Sequence, residues 1–270
     1  MNAVLAVLAN ESFAGHPHVE VFLKSVKKYA TADVILFCAN LSKDRLQSYV
    51  DRGFKVVHVP ALEYVSGLPL NRSISYYRWL CANPKYTNIL CTDTKDVVFQ
   101  ADPFETDTDG KLWLFAEGIV HGVEWFNPHD HQLIEEALGI KYDLKGKHVL
   151  NASIQYGSSN ILKKFLLLVH SIMLVGRRHP HEAYSDQGIT NFLYHCFLSQ
   201  DSDYVLNTPD VDYFCAHGVC NELTDLPPIP NYDTVFKDGV LLNPHTNKAY
   251  TMMHQWDRRL FFPQVLEYWS

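Results

Sequence analysis

No two cysteines in this chain have CxxC spacing, so neither a zinc ribbon nor a thioredoxin-type redox motif is encoded. The six cysteines are scattered, at Cys38, Cys81, Cys91, Cys196, Cys215 and Cys220. Cys38 and Cys91 lie in apolar runs and read as small buried hydrophobes. Cys215 and Cys220 are close enough to bridge, though nothing demands it. This usage predicts a reducing compartment and a cytoplasmic protein. There is no Gly-x-x-x-x-Gly-Lys phosphate loop and no Gly-x-Ser-x-Gly elbow, which removes two large enzyme classes. Long apolar runs are missing too. The start, Met1 to Leu8, lacks a basic region and is too short for a signal peptide. The greasiest stretch, Ile161 to Gly176, contains Lys163, Lys164 and His170 and predicts no transmembrane segment. Positive charge is in deficit, with 23 Lys and Arg against 30 Asp and Glu, a net −7. No nucleic-acid partner is therefore expected. Repeats, low-complexity tracts and linkers are also lacking.

What is present is core material. Of 270 residues, 47% are apolar and 20% charged, enough to build a sizeable core without disulfide or metal staples. The first third alternates strand and helix. Ala3–Leu8, Val34–Cys38, Phe54–Val59 and Ile89–Thr92 are short apolar runs, hence buried strands. His18–Tyr29, Leu41–Asp51 (with Ser42 as N-cap) and Tyr76–Ala82 have helical spacing. That order predicts an α/β fold with a mainly parallel central sheet flanked by helices. Later, Lys111–Ala116 reads as a strand and Asp130–Leu138 as a helix. Val149–Tyr156 reads as a strand at an edge or in a mixed region. Helices are expected over Ser159–Leu174 and from Ser185 to about Phe197. Val240–Leu242 and Tyr250–Met253 suggest a hairpin. One domain over 1–270 is expected, with a nucleotide-binding half at about 1–104. A smaller mixed part at about 105–270 would serve acceptor binding and catalysis.

The most informative segment runs from Asn88 to Phe104. An apolar strand delivers Asp93 and Asp96 to its carboxyl tip, where open α/β sheets bind ligands. Two carboxylates there suit a hard divalent cation held together with substrate phosphates. The competing reading is a turn capped by Asp93, with Lys95 as salt partner.

Asp93-Thr-Lys-Asp96-Val-Val-Phe followed by Asp102-Pro-Phe resembles the DxD region of GT-A fold (Rossmann-like) glycosyltransferases, notably the family 8 type. Two residues separate the aspartates instead of one. Aligning the apolar run puts Asp96 at the second acidic position and Thr94 at the first, with Asp93 serving in its place. The resemblance carries further. His254, in Tyr250-Thr-Met-Met-His254-Gln-Trp, matches a late histidine that completes the metal site. Arg258 would reach the diphosphate. Asn151-Ala-Ser153 resembles the Asn-x-Gly segment beside the donor sugar, with serine in place of glycine. Asp186-Gln187 resembles the Asp-Gln that opens a helix facing the reaction centre. Arg72, on the helix before the acidic strand, resembles a basic residue near the nucleotide. Ala9 and Asn10, at the exit of the first strand, lie where nucleotide base and ribose rest in that fold.

The resemblance implies Mn²⁺ or Mg²⁺ held by Asp93, Asp96 and His254. It implies a nucleotide-sugar donor, UDP-linked by preference, with Asp186 and Gln187 as catalytic residues and a glycan or glycoconjugate as acceptor. Trp125, Tyr156 and Trp256 would offer stacking faces to the acceptor. One aspartate fits either retention or inversion. The reading from a different class is a nucleotide- or sugar-binding module of the same fold without catalysis.

Overall fold

The computed structural model describes residues 1–59, 68–121, 128–176, 186–208, 212–216, 235–237, 239–243, 246–256 and 262–269. Its centre is a seven-stranded sheet. The strands are β1 (Asn2–Leu8), β2 (Asp33–Cys38), β3 (Lys55–His58), β4 (Asn88–Thr92), β6 (Leu112–Val120), β7 (His148–Ser158) and β8 (Tyr204–Asn207). Their spatial order is β3-β2-β1-β4-β7-β6-β8. All run in one direction except β7, which is antiparallel to both β4 and β6. A second, three-stranded sheet joins β5 (Val97–Phe99), β12 (Met252–His254) and β9 (Phe214–Ala216), and β10 (Val235–Lys237) pairs with β11 (Val240–Leu242).

β1, β2 and β4 form continuous apolar runs because helices and the second sheet cover them on both faces, whereas β3, at the sheet edge, keeps Lys55 and His58 exposed. Ala3, Leu5 and Val7 of β1 face one core and Val4, Ala6 and Leu8 the other. On the first face lie α4 (Leu68–Ala82) and α6 (Ser159–Gly176), through Leu80, Leu162 and Phe165. Ile134 of α5 (Pro128–Leu138) joins the same core. On the second face lies α2 (Pro17–Tyr29), through Val19, Phe22 and Leu23, beside Val97, Phe99, Phe214 and Met252 of the small sheet. Ser42 caps α3 (Lys43–Asp51) as its sequence predicts, its hydroxyl accepting from the Arg45 amide.

The strand expected at an edge or in a mixed region, β7, lies inside the sheet, in its mixed part, antiparallel to both neighbours. Its polar residues do not mark an exposed face, because Asn151 and Gln155 are themselves buried and hydrogen-bonded. The expected hairpin forms only next to its turn, where the Asn243 amide donates to the Lys248 carbonyl and the Tyr250 amide to the Leu241 carbonyl. Val240–Leu242 pairs with β10, and Met252–His254 crosses to β5 and β9, leaving one bridge between Leu242 and Ala249. Tyr156 and Trp256 offer no stacking face, since both are wholly buried. Trp125 lies outside the described residues, as do Ser185 and Cys220. Helix α4 begins eight residues before the expected Tyr76. The segment before Tyr76 carries Ser73 and Ser75, weak helix formers that packing overrides. No described helix is long and apolar enough to cross a membrane.

Candidate metal centre

Three separate segments meet past the carboxyl end of β4. The first is the acidic loop itself. Thr94, 1% exposed, donates its hydroxyl to the Val7 carbonyl and so pins the loop to the exit of β1. The second is β12. Its register sets His254 opposite Val97, and the Gln255 amide donates to the Asp96 carbonyl at 2.7 Å. The third is β7. Cys91 of β4 pairs with Gln155, so Asn151, four residues earlier on an antiparallel strand, overhangs the end of β4.

These placements bring Asp93, Asp96 and His254 together, with one ligand atom of each within 4.8 Å of the others. His254 Nε2 lies 3.1 Å from Asp96 Oδ1 and 3.3 Å from Asp93 Oδ2. The residue is 2% exposed and Nε2 aligns with neither oxygen as a hydrogen bond. Burial opposes charge on the ring, but Asp96 and Asp93 outweigh it and raise its affinity for a proton. Among the described ion pairs, those of Asp93 and Asp96 go to Arg72 and His254, not to Lys95, so the simple turn reading loses its salt bridge.

Arg72 links this centre to the opening of α7 (Asp186–Leu193). Its Nη1 donates to Asp93 Oδ1 at 2.7 Å, and its Nη2 donates to Asp186 Oδ2 and to the Ala152 carbonyl. Burial penalises the guanidinium, yet the carboxylates of Asp186 and Asp93 more than hold it charged. Asp93 is likewise disfavoured by burial, but Arg72 and then His254 hold its carboxyl well below the usual range. Within this cluster of described residues, Asp93 and Asp186 pair with the Arg72 guanidinium, while Asp96 lies against His254 and the buried Glu117 accepts from Asn151. An excess of carboxylates over fixed positive charge suits a cation.

Asn151 backs His254. Its Oδ1 accepts from the Ser153 and Ile154 amides at 2.8 and 3.1 Å. Its Nδ2 donates to Glu117 Oε1 at 2.8 Å and sits 3.0 Å from His254 Nδ1. Glu117 is a site residue that the sequence motifs do not single out. The available signal is one carboxylate within the otherwise apolar run Leu112–Val120, and a buried charge of that kind needs a partner.

Gln187 donates to the Leu150 carbonyl, and Asn191 clamps both the amide and the carbonyl of Leu150, so α7 is fastened to β7. Asn10 caps α1 (Glu11–Ala14), its Oδ1 accepting from the Phe13 amide, and Ala9 is buried beside it. Arg258 lies outside the described residues. Asp93, Asp96, His254, Arg72, Asn151 and Asp186 form one connected cluster, whereas the described hydrogen bonds tie Asn10 and Gln187 into the fold nearby. No model of a known protein family matches the chain, and no curated protein matches it either.

Proposed function

We propose that the chain is a metal-dependent glycosyltransferase. It moves a sugar from a nucleotide-sugar, UDP-linked by preference, to a hydroxyl of a glycan or other acceptor. One observation carries this reading: Asp93, Asp96 and His254 converge from positions far apart in sequence onto the carboxyl end of a mainly parallel sheet. The donor set fits a divalent ion of the Mn²⁺ or Mg²⁺ type. Two carboxylates and one ring nitrogen are an acceptable set, and the buried Nε2 has no hydrogen bond to give up. When bound, such an ion supplies positive charge to a departing diphosphate.

The remaining work falls to the chain's own residues. Asp186, 13% exposed at its side chain, is aimed by Arg72 and by the first turn of α7. A carboxylate positioned in this way is suited to accept a hydrogen bond from a sugar hydroxyl. Arg72 is enclosed between two acids, so it serves by holding Asp186 beside the centre. Calorimetric titration of UDP, with GDP as control, tests the reading in wild type and Asp96→Ala with and without Mn²⁺. Binding that requires Mn²⁺ and is lost in the variant is the expected result. Slow release of UDP from a UDP-sugar without acceptor then separates a transferase from a binding module. UDP binding indifferent to both metal and Asp96 would reject the proposal.

A further inference from the structure

A histidine that ligates a metal through one ring nitrogen normally gives the proton on its other nitrogen to an acceptor, such as a carboxylate or a carbonyl. Behind His254 the polarity is reversed. The Asn151 amide cannot turn over, because its oxygen already takes the Ser153 and Ile154 amides. Turned over, its NH₂ would meet two donors. Its NH₂ therefore faces outward, giving one hydrogen to Glu117 Oε1 and the other to His254 Nδ1. A ring that accepts at Nδ1 carries its proton on Nε2. That is the nitrogen facing Asp93 and Asp96, and the one a metal would need free.

We propose that Glu117 and Asn151 are positioning residues that weaken cation binding at this centre. Through one carboxamide, the buried Glu117 orients the His254 ring proton toward the metal carboxylates. A cation must displace that proton to Nδ1, against an amide that donates. The centre is thereby held shut to a bare cation and opened when a donor diphosphate adds its own oxygens. The inference rests on the metal reading above, and it concerns affinity and order of binding rather than the reaction.

Reversing the relay tests it. In the double variant Glu117→Gln/Asn151→Asp the two polar groups exchange roles. The new carboxamide at position 117 would donate. The new carboxylate at position 151 would keep the Ser153 and Ile154 amides on one oxygen and accept from His254 Nδ1 on the other. Formal charge is unchanged by the exchange. Mn²⁺ titration without nucleotide, followed by electron paramagnetic resonance, should show binding about ten- to a hundredfold tighter than wild type. Glu117→Gln alone keeps the Asn151 amide donating and should give no tightening. Nitrogen-15 spectra of histidine-labelled wild type, with His254 assigned by His254→Gln, need no refolded core variant. Taken at a pH where the ring holds a single proton, they should show it on Nε2 and not on Nδ1.

A singly protonated His254 in wild type with its proton on Nδ1 overturns the inference. So does a folded exchange variant that binds Mn²⁺ no better than wild type, and in that case the metal reading survives. If neither protein binds Mn²⁺, with or without UDP, the metal reading itself fails and the inference falls with it.

Discussion

Asp93 on the acidic loop and Asp186 at the start of α7 are joined by a single guanidinium. Arg72 reaches Asp93 with Nη1 and Asp186 with Nη2. Loss of Arg72 would leave two carboxylates near each other without that counter-charge. Arg72→Ala should lower stability by about 3 kcal/mol, the low end for breaking a buried pair because Asp93 is partly exposed. Arg72→Lys should recover little, since an ammonium cannot span two acids as a planar fork does. Urea denaturation of both variants reads this directly.

Asp186→Asn tests the other end of that bridge. If Asp186 works on a sugar hydroxyl, turnover of a UDP-sugar should fall about a hundredfold or more. Mn²⁺-dependent UDP binding should persist, because Asp96 and His254 are untouched. Steady-state kinetics beside calorimetry separates these effects, and loss of binding together with turnover would assign Asp186 to the donor site instead.

Gly157 has φ +141, in the left-handed region that favours glycine. A Cβ there would lie 2.0 Å from the Lys111 carbonyl oxygen, where β6 begins its pairing with the end of β7. Gly157→Ala should cost about 3 kcal/mol or more, beyond the usual range of overpacking, because backbone is what must move. A shift in denaturation midpoint at constant slope would show it.

His121 supplies a pH dependence away from the candidate metal centre. Burial lowers its pKa to about 4, although its hydrogen bond with Asn191 opposes the shift. The unfolded chain, with an ordinary histidine near 6.5, binds the proton first as pH falls. Stability from this group is therefore complete above about 6.5 and is lost progressively toward 4, by about 1.4 kcal/mol per pH unit at most. His121→Asn should flatten the stability profile over that window.

The first third of the chain was legible because its strands are short apolar runs and its helices carry clean caps, as at Ser42. The acidic loop was legible as well, since an apolar strand ending in two carboxylates stands out from its surroundings. What could not be read was partnership across long sequence distance. Nothing local tells Met252–His254 to pair with Val97–Phe99 rather than fold back on Val240–Leu242. Burial of β12 against Phe99 and Phe214 decides it, and that depends on the whole second core. Asn151 was legible as a site residue, but its neighbour Glu117 was not. The hydrogen bond between them joins strands whose register shifts at bulges, so spacing gave no guide.

The crossing of β12 onto β5 also sets a timetable. Asp93 and Asp96 leave the ribosome about 160 residues ahead of His254, roughly ten to thirty seconds at about 5–20 residues per second. By the end of that interval the sheet strands up to β8 have been made, while the carboxylates still lack their imidazole. The nascent chain thus passes through a stage in which its scaffold can form without the Asp93–Asp96–His254 cluster, which is completed only after the frame that holds it.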